Sequence, residues 1–294
     1  MSGIKILSAS ASSGLPRMDK TQLIVWTMAL LPIVVLCVFY FYPLLRVLTI
    51  SFTEPTLGLE NYRDIFSSSA VRRVLKTTLW ICTIASAVSL LFGYLLAYAI
   101  VHASTRWQSW MLLAVLLSFW VSVLIRAFAW IALLQTRGLV NETLQFMGLI
   151  DEPIRFIRNT FGVILGMVHY MIPYAVLPLM ANMRTIDTRY VPAARGLGAS
   201  PFGAFWRVFL PLSLPGLISA SILVFIFSIG FYITPALLGG GRSTMLAEYI
   251  ALQVNETLAW GQGTALASSM LFVVFAMLLA LGRIVKFRNM FGAG

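Results

Sequence analysis

Several aromatic side chains of this sequence lie within apolar runs and have the chemistry of a site for an organic cation. They are Trp120, Tyr170, Tyr174, Phe231 and Tyr232. The face of an aromatic ring attracts ammonium and guanidinium groups. We therefore predict, from residue types alone, that these rings line a path for an organic cation.

The motifs of common enzyme and cofactor sites are not found in the sequence. The run Gly239–Gly241 lacks the following lysine and hydroxyl residue of a phosphate-binding loop. No zinc-ligand spacing, catalytic triad or dinucleotide fingerprint occurs either. Cys37 and Cys82 both lie in apolar runs, which is typical of small hydrophobic residues rather than of a disulfide or a metal pair. The sequence predicts a chain that is not an enzyme and that holds no metal or cofactor.

Residues 184–215 are the most informative polar-flanked segment, and their local signals predict two short helices joined by a glycine turn. The first helix is predicted to begin at Pro192, because the missing N–H of proline is not needed in a first turn. It continues through the helix-forming residues Ala193–Arg195. Gly198 is predicted to end it in a left-handed conformation.

The second of these helices is predicted to start at Ser200 and Pro201 and to stop at Pro211 and Pro215. One face of it carries Phe205, Val208 and Phe209. Small residues in the first helix permit close approach of another backbone, and Phe205 and Val208 can fill a pocket. The segment is therefore predicted to be a compact unit that docks into a groove of a partner protein. The alternative is an ordinary loop whose second helix lies on a membrane surface.

The composition indicates which solvent these elements occupy. Only 11% of the 294 residues are charged and 60% are apolar, whereas soluble proteins average about 25% and 45–50%. So few charges cannot cover a soluble domain of this length, so the chain is predicted to need a lipid bilayer. The 21 Lys and Arg exceed the 10 Asp and Glu. They are spread between apolar runs, which indicates cations that flank membrane helices and argues against nucleic acid as a partner.

Six runs of sequence are long enough to cross a bilayer core of about 30 Å, which takes about 20 helical residues. They are Leu23–Leu45, Thr77–Val101, Trp107–Leu134, Phe161–Asn182, Gly216–Leu237 and Thr264–Gly282. The predicted fold is an all-α polytopic membrane protein with six transmembrane helices and both termini on one side. With the termini in the cytoplasm, Lys and Arg divide 11 inside to 10 outside, while eight of the ten acids lie outside. Charge therefore favours the cytoplasmic termini through the uneven division of the acids rather than through Lys and Arg.

Two polar residues inside the predicted spans, Arg126 and His169, are further candidates for the solute path. Arg126 can instead extend to the membrane interface, and His169 can instead bond a neighbouring helix. Neither Asp nor Glu occurs inside a predicted span. This argues against a proton-coupled carrier, which usually needs an intramembrane carboxylate.

The segment after the fourth predicted span resembles the EAA loop of permeases from binding-protein-dependent ABC importers. The matching residues are Ala193, Ala194, Gly198, Ala199, Phe205, Val208, Leu210 and Pro211. Pro192 stands where the pattern has Glu, so any ion pair made by that Glu is absent. Leu59–Tyr62 looks like an outer-loop segment of many such permeases. Three further stretches resemble the spermidine/putrescine (polyamine) branch of the family. They are Arg126–Trp130, Gly138–Asn141 and Thr234–Gly240.

This resemblance implies a type I ABC importer transmembrane fold in the bacterial inner membrane, with the loop and both termini in the cytoplasm. It divides the chain into a cytoplasmic tail (1–21), a first transmembrane helix with its outer loop (22–72), a type-1 transmembrane core (73–283, coupling loop 184–215) and a second cytoplasmic tail (284–294). The residues implied to couple to the ATPase are the eight matching ones together with Pro192 and Arg195.

The resemblance also implies partners and a function. The partners are two copies of an ATP-binding cassette subunit, which hydrolyse the ATP, a second and different permease subunit, and a periplasmic substrate-binding protein. The implied function is ATP-driven import of a small solute, with a polyamine-like organic cation favoured. The alternative is a stand-alone secondary transporter or channel.

Overall fold

The computed structural model describes the backbone of residues 20–291 and the side chains of residues 26–280. Most of the described backbone is helical. The helices are α1 (Lys20–Leu36), α2 (Tyr42–Thr53), α3 (Glu60–Ser67), α4 (Ser69–His102), α5 (Thr105–Trp120), α6 (Val123–Leu134), α7 (Leu139–Phe146), α8 (Thr160–Met183), α9 (Tyr190–Gly196), α10 (Pro201–Ala204), α11 (Leu210–Ile229), α12 (Ile233–Leu238), α13 (Leu246–Asn255) and α14 (Trp260–Phe291). Two π-helical turns, Cys37–Phe41 and Phe205–Phe209, precede α2 and α11.

The chain forms two units, which divide between Thr49 and Ile50. Most of the tail predicted at residues 1–21, and the last three residues of the tail predicted at 284–294, lie outside the described residues. Residues 284–291 of that second tail form the end of α14, which runs to Phe291.

Six described segments are long and apolar enough to cross a membrane, which confirms the predicted number. They are Trp26–Thr53, Ser69–His102, Val123–Phe146, Thr160–Met183, Pro201–Ile229 and Trp260–Ala280. In a bilayer, helices satisfy their own backbone groups and can therefore span the hydrocarbon.

The centre of the second unit is formed by α4, α8 and α11, which pack against one another. Gly93 of α4 lies so close to Ala175 of α8 that a Cβ atom at position 93 would be 2.5 Å from the Cβ of Ala175. The hydroxyls of Tyr94 in α4 and Ser213 in α11 form a hydrogen bond of 2.8 Å. Close packing at small residues and hydrogen bonds between helices hold membrane bundles together. These three helices are therefore the frame from which the loops at both ends project.

The third predicted span, Trp107–Leu134, is not one continuous helix. Val121 and Ser122 adopt extended backbone angles and separate α5 from α6. The carbonyl of Val121 accepts a 2.8 Å hydrogen bond from Nη2 of Arg126 instead of a helical N–H. The break is compatible with an apolar surrounding because a side chain satisfies the freed carbonyl.

The fifth predicted span also differs, because Pro211 and Pro215 do not stop the preceding helix. The helical backbone runs from Pro201 to Ile229 without interruption. A proline at position 211 would clash with the carbonyl of residue 207 in an α-helix. The π-helical turn Phe205–Phe209 is wider than an α-helical turn and contains that carbonyl.

The same span was predicted to continue to Leu237, but α11 ends at Ile229 and the separate helix α12 follows after three residues. Pro235 lacks the N–H that would bond the carbonyl of residue 231 in a continuous helix. The break therefore falls at residues 230–232, one turn before this proline.

Candidate functional site

The connection from α8 to α10, residues 184–200, projects from one end of the bundle and begins with a tight polar turn. The carboxylate of Asp187 accepts hydrogen bonds from the backbone N–H of Arg189 at 2.9 Å and from its guanidinium Nη2 at 2.7 Å. These bonds hold the pKa of Asp187 below its usual value. Both side chains face solvent, so the pair orders the turn and contributes little to stability.

Helix α9 ends in a glycine cap of the predicted kind. Gly198 has φ = +93°, its N–H donates to the carbonyl of Arg195, and the N–H of Ala199 donates to the carbonyl of Ala194, both at 3.0 Å. This pair of bonds is a Schellman motif, which favours glycine at the left-handed position. The helix starts earlier than predicted, at Tyr190, so Pro192 is its third residue and still lies in the first turn.

The next helix starts at the predicted cap. The side chain of Ser200 accepts a hydrogen bond of 3.1 Å from the N–H of Gly203, and Pro201 occupies the first turn. An N-cap serine satisfies one of the free N–H groups of a helix start. The two caps therefore fix the turn from α9 to α10 from both sides.

The apolar surface of residues 184–215, the segment predicted to dock, differs from the predicted one. The most exposed apolar side chains are Leu197, Phe202, Tyr190 and Trp206, at 92%, 73%, 52% and 51%. We call these four residues the exposed tip. Sequence reasoning missed all four, although Leu197 and Phe202 directly flank the glycine turn.

Phe205 points into the bundle rather than outward. Its ring lies 5.7 Å from that of Tyr98, 6.2 Å from that of Tyr94 and 6.0 Å from that of Phe209, centroid to centroid. Phe209 is buried and also packs against Tyr98 and His102 at the end of α4. The expectation that Phe205 fills a pocket of a partner therefore does not fit the packing, and Phe205 instead ties the connection to α4.

The remaining predicted coupling residues divide between the surface and the half-buried side of the connection. Exposed are Pro192, Ala193, Arg195, Gly198 and Pro211, and half-buried are Ala194, Ala199, Val208 and Leu210.

We expect Phe205→Ala to destabilise the chain and Phe202→Ala to leave its stability unchanged. Phe205→Ala removes ring contacts with four aromatic neighbours, which costs about 2 kcal/mol for a half-buried phenylalanine. Phe202 is largely exposed, and such substitutions change stability by less than about 0.5 kcal/mol. Thermal unfolding of the detergent-purified chain checks the difference, and equal melting temperatures would contradict the inward placement of Phe205.

At mid-bundle, the structure brings together four of the predicted path residues. The guanidinium carbon of Arg126 lies 4.6 Å from the ring centre of Tyr170. The hydroxyls of Tyr170 and Tyr174 are 3.2 Å apart. The ring of Phe231 lies 4.8 Å from that of Tyr170. We call this group the Arg126 cluster.

The Arg126 cluster contains two further rings, which the sequence analysis did not predict. Phe119 and Phe227 lie 4.9 Å and 4.7 Å from the ring of Tyr174. Their positions in the sequence give a signal, because Phe227 lies four residues before Phe231, and Phe119 lies two residues before the helix break at Val121.

The other predicted path residues lie apart from the Arg126 cluster or make different contacts. Trp120 is 87% exposed at the end of α5, and Tyr232 is 45% exposed in the break after α11. His169 is exposed, and its Nδ1 accepts a 3.2 Å hydrogen bond from the indole N–H of Trp130. The bond joins α8 to α6. His169 therefore makes the interhelical hydrogen bond that the sequence offered as the alternative to a place in the solute path.

Comparison with known proteins places this architecture in one family. The family described as "Binding-protein-dependent transport system inner membrane component" matches residues 22–288. The spermidine/putrescine transport system permease protein PotB of Haemophilus influenzae is 30% identical over 249 residues, which cover 82% of this chain and 86% of that protein. PotB of Escherichia coli is 29% identical over 239 residues, which cover 81% and 86%.

A solved structure shows the same fold. A chain of a bacterial alginate ABC transporter, in complex with a periplasmic protein that binds an alginate pentasaccharide, superposes with a TM-score of 0.70 at 18% identity. The match covers 88% of this chain and 93% of that one. With the family match over most of its length, the six spans and this fold, the chain belongs to the inner-membrane components of binding-protein-dependent transport systems and is a multi-pass inner-membrane permease subunit of an ABC importer.

Proposed function

We propose that this chain forms half of an ATP-driven translocation pathway and couples it to two ATP-binding cassette subunits through the connection between α8 and α10. The other half is a second, different permease chain, and a periplasmic binding protein delivers the solute. ATP is hydrolysed on the separate cassette subunits, so this chain itself is not catalytic. The connection and both termini lie in the cytoplasm.

The observation that carries this proposal is the exposed tip. Leu197 and Phe202 are 92% and 73% exposed, although the backbone around them is fixed by the Gly198 and Ser200 caps. Rigid apolar side chains at the end of a bundle are suited to fill a groove on another protein. The tip therefore supports docking, and the small residues at positions 193 and 194 allow the partner to approach.

The packing behind the exposed tip supports its use in transmission. Phe205 and Phe209 contact Tyr98 and His102 on α4, and the same helical stretch continues directly into α11. A displacement of the tip is therefore passed to two of the three central helices. This is the rigid connection that a rocking motion of the spans requires.

For the solute, we propose a polyamine-like organic cation. PotB relatives are named for spermidine and putrescine transport. The Arg126 cluster supports this class, because the face of Tyr170 already holds a cation, the guanidinium of Arg126. A solute amine can occupy the same kind of face when the pathway opens.

The test is co-purification of the cassette subunits with this chain, followed by uptake in proteoliposomes. Leu197→Glu is expected to reduce the retained ATPase at least about tenfold, because a charge replaces an apolar side chain that is buried on docking. The matched control is Leu149→Glu, a 66% exposed leucine at the opposite end of the bundle. It is expected to retain the ATPase.

Uptake of labelled spermidine then tests the transport function. It is expected to require ATP, the binding protein and the cassette subunits. Uptake that persists without the cassette subunits, or full ATPase retention by Leu197→Glu, would instead support a stand-alone transporter or channel.

A further inference from the structure

A cavity with a volume of about 830 Å³ lies at the end of the bundle opposite to the 184–200 connection. Helix α8 runs from one to the other. Its N-terminal residue, Thr160, comes directly after Asn159, which lines the cavity, and its last residue, Met183, comes directly before the connection. Four exposed arginines line the cavity, together with neutral residues. They are Arg137, Arg155, Arg158 and Arg242. We call it the arginine cavity.

The first two arginine-bearing segments are held together by a buried amide. Asn141 is fully buried, and its Nδ2 donates to the carbonyls of Gln135 and Ile154 at 3.2 and 2.9 Å. Its Oδ1 accepts a bond of 2.9 Å from the N–H of Ile154. This side chain therefore fixes the backbone two residues before Arg137 and directly before Arg155.

A second set of bonds fixes the other two segments. The hydroxyls of Thr160 and Ser243 are 2.8 Å apart, and these residues lie beside Arg158 and Arg242. Asn159 caps α8 and donates a 2.6 Å hydrogen bond to the carbonyl of Arg155. Three loops distant in sequence are thus joined by side-chain hydrogen bonds around one cavity.

Arg158 itself has an unusual backbone conformation. Its φ is +58°, a left-handed value that is unfavourable for a residue with a side chain. Gly240, also left-handed at φ = +59°, approaches it so closely that a Cβ at position 240 would lie 2.6 Å from the Cβ of Arg158. Such strain persists where the surroundings hold it, and it is concentrated at binding sites.

The charges in the arginine cavity are not neutralised by the chain. None of the ten residues that line the cavity is acidic. Asp151 and Glu152 are exposed nearby in sequence, but neither lines the cavity. Among the described residues, the one ion pair with an N–O distance within 4.0 Å joins Asp187 and Arg189, and it includes none of the four cavity arginines. Four permanently charged guanidinium groups therefore face one space beside the positive end of α8.

We propose that the arginine cavity binds a small oxyanion, of the phosphate, sulfate or carboxylate class. Guanidinium groups match such anions with paired N–H donors and remain charged at any physiological pH. The inference goes beyond the proposed function, because the anion is a ligand in addition to the transported cation. A bound oxyanion reduces the positive potential that a cationic solute meets at this end of the bundle.

The experiment measures binding of radiolabelled inorganic phosphate to the full-length chain, purified in a non-ionic detergent with the subunits that co-purify with it. We expect saturable binding that sulfate competes away and that weakens as salt is raised. The double variant Arg158→Gln/Arg242→Gln is expected to lower the affinity at least about tenfold. Arg155→Gln, an exposed single substitution, is expected to lower it several-fold and serves if the double variant does not fold.

The matched control is Arg63→Gln/Arg72→Gln, which removes the same charge from exposed positions outside the cavity. It is expected to bind phosphate as the unmodified chain does. Nanodiscs with and without phosphatidylglycerol identify the source of the anion. Phosphate binding that persists with this lipid indicates a free solute anion, and binding that the lipid competes away indicates a headgroup.

Three results would overturn the proposal. The first is the absence of saturable phosphate binding in both detergent and nanodiscs. The second is an equal loss of affinity in the cavity variant and the control. The third is unchanged phosphate binding in the cavity variant together with loss of capture of the periplasmic binding protein, which would make the arginines a protein-docking surface.

Discussion

Gly198→Val is expected to abolish the stimulation of ATP hydrolysis by solute-loaded binding protein in the reconstituted complex. Gly198 has φ = +93°, and open space surrounds the position where a Cβ would lie. The effect therefore comes from the backbone, because a left-handed conformation costs a β-branched residue more than about 1 kcal/mol. Leaving that conformation breaks the bonds to the carbonyls of Arg195 and Ala194 and turns Leu197 away from its position.

The matched control is Gly196→Val, two residues earlier. A Cβ at position 196 also meets open space, but Gly196 has ordinary helical geometry as the last residue of α9. Valine has a higher intrinsic helix propensity than glycine, so stimulation and ATPase retention are expected to persist. Wild-type stimulation in Gly198→Val would refute the role of this turn, and equal loss in both variants would show that added bulk, not conformation, is responsible.

The features that the sequence predicted correctly are those that depend on local chemistry. The caps at Gly198 and Ser200 follow from residue type within one turn of chain, and both are present. The six spans follow from length and composition, which need no knowledge of neighbouring helices. Local signals and apolar run length therefore sufficed for the number of spans and for the turn between α9 and α10.

The features that the sequence did not predict depend on contacts between distant residues. The sequence shows an apolar residue at position 205 but not whether its side chain faces the bundle or a partner. The contact with Tyr98 on α4, more than a hundred residues away in sequence, decides that it faces the bundle. The break after Trp120 requires a donor for the carbonyl of Val121, and Arg126 supplies it through a side-chain geometry that spacing does not reveal. The arginine cavity combines three loops that lie up to about a hundred residues apart in sequence.

Arg126→Leu is expected to reduce the uptake of labelled spermidine at least about tenfold and to lower the melting temperature of the chain. The substitution leaves the carbonyl of Val121 without its side-chain donor and removes the cation from the face of Tyr170. A carbonyl that loses its partner away from water costs about 1–3 kcal/mol, and the cation–π contact contributes up to about 2 kcal/mol. Uptake by proteoliposomes and thermal unfolding of the same preparation measure the two effects.

Two milder variants separate the roles of this side chain. Arg126→Gln keeps a hydrogen-bond donor but removes the charge, whereas Arg126→Lys keeps the charge but lacks the planar group that both bonds Val121 and covers Tyr170. Both are expected to melt between the unmodified chain and Arg126→Leu. Only Arg126→Gln is expected to lower the KM for a polyamine, because it removes the cation that competes for the Tyr170 face.

The control for charge is Arg106→Gln, an exposed arginine at the start of α5 that is outside the Arg126 cluster. It is expected to leave the melting temperature and KM unchanged. A KM that moves in step with the melting temperature across all variants would show that Arg126 only stabilises the break between α5 and α6. A lower KM in Arg126→Gln but not in Arg126→Lys would instead place the solute cation on the ring that Arg126 covers in this structure, because stability and affinity would then change in opposite directions.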